Sequence, residues 1–304
     1  MPLFSISDKK LKEVKKLNFK LEKDIQNITE NNLREIFGLR LIGSEFSINN
    51  LRFDSLAFDE ENNSFVIIEY KKDKNSSVID QGYAYLSLML NNKSDFILEF
   101  NENSNSSLKR NDVDWSQSRV IFIYPSFSKY QKQAINFNDL PFELWEVSMF
   151  ENKMIQYKQL KPFTSSESIK KISKGNNLVD KVNSEVKVYS EEDHLIKSNN
   201  LIKKIYFELK NQILSINDTI EYEPKKKYIS FKSQNNFVYF VFKKDKIKIY
   251  LNLKKGELQD SSKLARDVSN IGHWGYGDYE VTVSKEEEIP VTFLLIKQSY
   301  DKNN

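Results

Sequence analysis

The chain has 304 residues, of which 39% are hydrophobic and 13% aromatic, so it carries enough apolar material to fold and is not a disordered protein. This length suits two domains. The formal net charge of +3 is close to neutral, so overall charge says little about a polyanionic partner. Cysteine is absent, which excludes disulfides and cysteine-based zinc sites and suits a reducing cytoplasm.

Two kinds of targeting signal are missing from the sequence. No apolar run approaches the roughly 20 residues that a membrane-spanning helix needs. The N-terminal segment MPLFSISDKKLKEVKK lacks the apolar stretch of a secretory signal peptide. We therefore expect a cytoplasmic protein that has no membrane partner.

The first half of the chain alternates between helical and extended patterns. Apolar residues recur at helical spacing in three segments, and short strand-like runs are separated by Asn and Asp residues that favour tight hairpins. The predicted helices cover residues 11–37, 76–91 and 127–137, and the predicted strands cover residues 45–48, 51–58, 65–71, 119–124 and 142–149. This order predicts an α/β fold with a mixed sheet.

The composition also suggests where the domains lie. Residues 162–193 are polar with few large apolar side chains, so we place a first domain at 1–155, a linker at 156–193 and a second domain at 194–304. The second domain is predicted to be a small α/β unit. Its predicted helices cover residues 195–214, 261–268 and the C-terminus, and its predicted strands cover residues 228–231, 237–242, 246–252 and 279–283.

Three charged residues in segment 51–71 have the clearest chemical meaning. Glu69 and Lys71 are two apart in a strand and project from one face, and a hairpin brings Asp54 beside them. Carboxylates among apolar strand residues are costly unless they are paired or bind a metal. Two such oxygens suit Mg²⁺ or Mn²⁺, and a nearby ammonium can assist a metal-bound water. The alternative is an edge hairpin with an ordinary Glu–Lys ion pair and a solvated Asp54.

The order of these segments resembles the core of the PD-(D/E)XK nuclease superfamily, and most closely its NucS-like, DUF91-type domains. The segments that carry the resemblance lie between residues 19 and 100 and read LEKDIQNITENNLREIFG, RFDSLAFDE, IIEYKK and DQGYAYLSLML. Phe53 stands where the family name has proline. The resemblance implies a restriction-endonuclease-like core of order α-β-β-β-α-β. It also implies a Mg²⁺- or Mn²⁺-dependent endonuclease that hydrolyses DNA phosphodiester bonds, for which a homodimer would suit cleavage of two strands.

The resemblance also implies roles for individual residues. Asp54 and Glu69 would bind the metal together with the backbone carbonyl of Tyr70, and Lys71 would assist the attacking water. Glu22, in LEKDIQ, would supply a further acid from the first helix. Glu30 is the rival choice for that acid, and an ordinary solvated helix residue is an alternative for both.

The second predicted helix and the residues before it carry weaker signals. Gln81 matches a glutamine that would position water or a phosphate in such nucleases. Tyr85 lies one turn further on the same helix face, where a plain amphipathic helix explains it better. Lys72 and Lys74 could contact backbone phosphates, although a solvated charge run accounts for them as well.

The second domain resembles the DUF5655 family through YISFKSQNNFVYFVFKKDKIKIYLNL and RDVSNIGHWGYGDYEV, a resemblance that implies little chemistry. Lysines surround its Phe- and Tyr-rich strands, so this domain either contacts nucleic acid or has an aromatic core with solubilising lysines. The loop at 272–277 is a recognition loop or a structural corner. We expect the domain to recognise substrate or partner. The alternative for the whole chain is a non-catalytic nucleic-acid-binding or effector-binding protein that retains a nuclease fold.

Overall fold

The computed structural model describes residues 2–49, 51–71, 77–137, 139–162, 168 and 177–304. The chain divides into two compact units, residues 1–188 and 189–304. Among the described residues, no helix has the length and apolar character needed to cross a bilayer.

The first unit is built on one large sheet with helices on both faces. Its strands are β1 (Leu3–Ser7), β2 (Lys10–Val14), β3 (Lys16–Leu17), β4 (Arg40–Ser44), β5 (Ser47–Ile48), β6 (Leu51–Arg52), β7 (Ser55–Asp59), β8 (Ser64–Tyr70), β9 (Arg119–Tyr124), β10 (Phe142–Phe150) and β11 (Met154–Leu160). Its helices are α1 (Glu22–Glu30), α2 (Leu33–Phe37), α3 (Val78–Asn91), α4 (Lys93–Glu102), α5 (Lys129–Ala134) and α6 (Asn177–Glu185), with 3-10 turns at Trp115–Gln117 and Glu151–Lys153.

The order of strands in this sheet is β11-β10-β9-β8-β7-β4, and β3 pairs with β10. The pairs β8–β9 and β9–β10 are parallel, whereas the pairs β4–β7, β7–β8 and β10–β11 are antiparallel. The predicted fold class, an α/β fold with a mixed sheet, is therefore confirmed. Side chains of β8 alternate between two cores: Ile67 packs with α3 and α4, and Ile68 packs with α1 and α2.

The N-terminal part of the predicted helix at 11–37 is wrong. Residues 3–14 form the hairpin β1–β2, and Asp8 and Lys9 at its turn have φ values of 50° and 63°. Two successive positive φ angles are typical of a type I′ turn, which matches the twist of a hairpin. Helical structure begins only at Glu22, and it ends at Gly38, whose φ of 68° terminates α2.

Two other predictions for the first unit need correction. The first strand of the meander is β4, whereas residues 45–48 contribute to the small separate ribbon β5–β6. The predicted linker at 156–193 contains most of β11 and all of α6, and it runs past the boundary between units at 188. Helix α6 packs in the first unit because Val179 and Val182 are buried in its core.

The second unit has an antiparallel sheet of order β12-β13-β14-β15-β17-β16. Its helices α8 and α9 contribute to one core with this sheet. Its strands are β12 (Glu221–Pro224), β13 (Ile229–Lys232), β14 (Asn236–Phe242), β15 (Ile247–Leu251), β16 (Ala265–Asp267) and β17 (Tyr279–Val283), and its helices are α7 (Glu191–Leu195), α8 (Asn200–Leu214) and α9 (Ile289–Asn303), with a 3-10 turn at Glu286–Glu288.

The predicted helix at 261–268 is wrong. The carboxylate of Asp260 accepts hydrogen bonds from the backbone N–H groups of Ser262 and Ala265 at 3.0 and 2.8 Å. Such local bonds give the backbone an alternative to helical pairing. The chain therefore turns after Asp260 and then enters the short edge strand β16.

Helix α3 approaches β10 closely at Gly82, and this contact gives a first prediction. A Cβ atom at Gly82 would lie 2.6 Å from the ring of Phe142. We expect Gly82→Ala to lower the free energy of unfolding by about 1–3 kcal/mol through overpacking, in spite of alanine's higher helix propensity. Denaturant unfolding measures this change. Gly272→Ala, where a Cβ meets open space, is the control and should have little effect.

Candidate functional site

The hairpin β7–β8 brings Asp54 to the end of β8. Pairing of Ser55 with Ile68 sets the register, so that Asp54 lies beside the chain as it leaves the sheet at Tyr70. Its Oδ2 atom accepts a hydrogen bond from the Tyr70 N–H at 2.9 Å. The carbonyl of Asp54 accepts a second bond, from Gln26 Nε2 at 2.8 Å. The position of this carboxylate is therefore fixed from both the sheet and α1.

The ammonium of Lys71 lies among three carboxylates. Its Nζ atom is 2.8 Å from Glu69 Oε1, 3.3 Å from Glu22 Oε1 and 4.0 Å from Asp54 Oδ2. The four charged residues predicted from the sequence thus converge at one point, at the carboxyl end of β8.

The three carboxylates of this cluster differ in how far their side chains are exposed to solvent. The Glu69 side chain is 4% exposed and that of Asp54 is 14% exposed, whereas Glu22 is 41% exposed. Burial, followed by the negative charge of Glu69, raises the pKa of Asp54 from 3.8 to about 6. Burial opposes the charged form of Lys71, but the hydrogen bond to Glu69 and the surrounding carboxylates outweigh it and raise the Lys71 pKa.

Helix α3 holds Glu69 from the other side. Gln81 Nε2 donates to Glu69 Oε1 at 2.8 Å, and the hydroxyl of Tyr85 donates to Glu69 Oε2 at 3.1 Å. Gln81 Nε2 also donates to the Tyr85 hydroxyl at 2.7 Å. Burial and then the charge of Glu69 raise the Tyr85 pKa, so this hydroxyl remains a donor. The hydrogen bond from Tyr85 to Glu69 was not predicted from the sequence, which showed only that Tyr85 lies on the same helix face as Gln81.

Residues on one face of α1 contact the chain at the start of β7 and just after β8. Glu22 contacts Lys71, Gln26 binds the Asp54 carbonyl, and Glu30 accepts from Ser55 Oγ at 2.6 Å. The structure thus brings Glu22, and not its rival Glu30, to the charged cluster. The spacing of four residues that puts all three on one helix face was visible in the sequence, but Gln26 was not singled out.

The oxygen atoms of this cluster are of the kind that divalent cations bind. Asp54 and Glu69 offer hard oxygen atoms, and the Oε1 atom of Gln81 is buried without a hydrogen-bond partner among the described residues. Within that same part of the chain, no three His, Cys, Asp or Glu side chains form a metal-binding group. An ion such as Mg²⁺ would therefore have to take most of its ligands from water. The Tyr70 carbonyl as a ligand stays a prediction, and Lys72 and Lys74 lie outside the described residues.

Comparison with known proteins identifies relatives of both the whole chain and its second unit. Residues 191–303 match the family described as "Domain of unknown function (DUF5655)", which confirms that expectation. A Haemophilus influenzae protein described as "Uncharacterized protein" is 46% identical over 299 residues, covering 98% of this chain and 99% of the relative. This chain belongs to the same family as the Haemophilus influenzae protein. The NucS-like resemblance of the first unit stays a prediction.

One solved structure was also matched. It is titled "crystal structure of a repair endonuclease from Pyrococcus abyssi", and it is 20% identical with a TM-score of 0.23. The match covers 39% of this chain and 44% of that chain, so it spans less than half of the endonuclease. A similarity of this size carries no argument about function.

The charge arrangement predicts that Asp54 weakens the fold in the absence of metal. Because the pKa of Asp54 is raised to about 6, its ionised form at pH 7 is less favourable in the folded state than in the unfolded state. We expect Asp54→Asn to raise the free energy of unfolding at pH 7 by about 1–3 kcal/mol in chelator-treated buffer. Denaturant unfolding measures the change, and the gain should shrink as pH falls from 6 towards 4.

Glu280, a buried carboxylate of the second unit, provides a control, because removing its charge should change the free energy of unfolding in the opposite direction. Glu280 is paired with cations and its pKa is lowered to about 2, so Glu280→Gln should destabilise the protein at pH 7. Equal or lower stability of Asp54→Asn relative to the wild type would contradict the assigned charge balance.

Proposed function

We propose that the first unit is a divalent-metal-dependent nuclease that hydrolyses phosphodiester bonds in DNA. The observation that carries this proposal is the pair formed by the buried Glu69 and the partly buried Asp54 at the end of β8, with the Lys71 ammonium within 4.0 Å of both. Burying two carboxylates side by side is unfavourable unless a bound cation or another role offsets it. The resemblance to PD-(D/E)XK nucleases, which rests on the order of segments between residues 19 and 100, gives these three residues the same roles.

The role of each residue follows from its place in the cluster. Asp54 and Glu69 would hold the cation, while Gln81 and Tyr85 keep the Glu69 carboxylate in one orientation. When bound, the cation would supply Lewis-acid chemistry that makes an attacking water more acidic and offsets phosphate charge. Lys71 would orient the water or balance negative charge developing on the phosphate.

Glu22 is more exposed to solvent than Asp54 and Glu69. Its side chain is 41% exposed and contacts Lys71 at 3.3 Å, so it lies at the open side of the cluster. Glu22 would hold Lys71 in position and accept hydrogen bonds from waters of the metal. The second unit would contribute recognition of the substrate or of a partner.

The proposal is tested by cleavage assays on the full chain. Labelled linear, branched and single-stranded DNA would be incubated with Mg²⁺ or Mn²⁺ and, in parallel, with a chelator. We expect metal-dependent cleavage, and we expect Asp54→Asn, Glu69→Gln and Lys71→Met each to reduce its rate by about 100-fold or more. The physical reason is that each change removes a cation ligand or the charge beside the reacting phosphate.

Two matched variants control for general effects of removing charge. Glu35→Gln on α2 and Lys129→Met on α5 change exposed residues of the same unit and should leave the rate unchanged. Cleavage that persists in Asp54→Asn or in chelator would contradict the proposal. Failure of the wild-type protein to bind Mn²⁺, measured by calorimetry, would instead favour a non-catalytic protein that retains the fold.

A further inference from the structure

The two faces of the second unit's sheet carry different aromatic residues. Phe231 and Phe240 pack in the core shared with α8 and α9. Tyr228, Tyr239 and Tyr250 belong to a separate cluster on the opposite face. A tyrosine combines an apolar ring with a polar tip, so it suits a face that helices do not cover. These tyrosines are buried as well, so a part of the chain other than α8 and α9 covers this face.

The glycine-rich loop at 272–277 is fixed against this tyrosine face. The ring of His273 stacks on Tyr250 with centroids 4.6 Å apart and an interplanar angle of 8°. Gly275 has φ of 86° and lies so close to Tyr239 that a Cβ would fall 2.5 Å from its ring. Gly277, with φ of 107°, approaches the Leu251 carbonyl in the same way. Both close contacts require glycine.

This fixed loop presents large rings to solvent. Trp274 is 47% exposed and Tyr276 is 51% exposed, and Ile271 at the entrance to the loop is 50% exposed. The ammonium of Lys227 lies 5.4 Å from the centre of the Trp274 ring. Two exposed rings two positions apart on one loop, one of them beside a cation, match the pattern of a binding platform.

Charged residues beside the loop add positive charge to the platform. Glu280 is buried and accepts two bonds of 3.0 Å from Arg266 and one of 3.1 Å from Lys248. Burial favours protonation of Glu280, but its hydrogen-bonded partners outweigh this and lower its pKa to about 2. Two cations therefore face one carboxylate and leave an excess of positive charge. The Arg266 side chain is 55% exposed, so it can reach a further anion.

We propose that this platform, formed by Trp274, Tyr276, Lys227 and Arg266, binds single-stranded polynucleotide. Unpaired bases stack on the exposed rings, while the cations contact the phosphates. A duplex is a poorer ligand because its bases already stack on one another. The inference deepens the proposed function by naming unpaired strands as a substrate feature, and it rests on that function only in expecting a nucleic acid.

The experiment measures binding without cleavage, using the full chain with Glu69→Gln and a chelator present. Fluorescence anisotropy would follow dye-labelled oligothymidylate of about 12 nucleotides, with an equal RNA strand and a duplex in parallel arms. We expect binding of the single strands. We expect Trp274→Ala to weaken it about tenfold, because one stacked base is lost. Lys227→Met should reduce the slope of log affinity against log salt by about 0.7.

Conservative variants distinguish stacking from a general loss of structure. Trp274→Phe keeps an aromatic ring and should bind within about threefold of the parent, whereas Trp274→Leu should bind as weakly as the alanine variant. Lys297→Met on α9 removes an exposed cation from the helix layer and should leave the salt slope unchanged.

The possible outcomes separate this proposal from the nuclease proposal. Absence of single-strand binding, or equal binding by Trp274→Ala and its parent, would overturn the platform. Parent-like binding by Trp274→Leu would point to an apolar contact and would overturn base stacking. Single-strand binding by the platform in a protein that cleaves no DNA would contradict only the nuclease proposal.

Discussion

The ammonium of Lys71 is the charge on which the site depends. Glu69 lies near the end of β8, where the side chains from Phe65 to Ile68 are apolar, and Asp54 lies beside it, so the two carboxylates repel each other strongly. Lys71 offsets part of that repulsion by contacting both. Burial and the charge of Glu69 nevertheless raise the pKa of Asp54, so the ammonium does not offset both effects. In the proposed function, a divalent cation would supply further positive charge.

The helices on the two faces of the sheet make this arrangement rigid. From one side, α1 uses Gln26 to hold the backbone of Asp54 and Glu22 to hold Lys71. From the other side, α3 uses Gln81 and Tyr85 to hold both oxygen atoms of Glu69. The charged groups of the cluster are thus oriented by packed elements and not by loops. Preorganisation of this kind is what electrostatic catalysis requires.

The second unit also buries a carboxylate, but there the carboxylate is fully paired. Glu280 is as buried as Glu69, but cations and a tyrosine hydroxyl satisfy it fully and lower its pKa. The carboxylate of Asp54 is less completely paired, and its pKa is raised. A fully paired buried carboxylate supports structure, whereas an incompletely balanced one marks a site with another role. Glu280 is thus a structural partner of Arg266 and Lys248.

The sequence by itself determined the elements whose patterns are local and strong. Strands 119–124 and 279–283 were predicted with the bounds that β9 and β17 have. Glu69 and Lys71 are two residues apart and so share one face of a strand. Together with a short hairpin, this spacing was sufficient to place Asp54 beside them. These features depend on near neighbours in the chain, so periodicity and turn chemistry are enough to predict them.

Only the tertiary structure decided the rest, because it depends on contacts between residues distant in sequence. The resemblance named Glu22 and left Glu30 as its rival, and the packing of α1 brings Glu22 to Lys71 and Glu30 to Ser55. Tyr85 resembled any buried helix residue until α3 was placed against Glu69. The N-terminal hairpin also lay outside prediction, since its short apolar alternation fits a helix almost as well. Packing, not local propensity, chose between such alternatives.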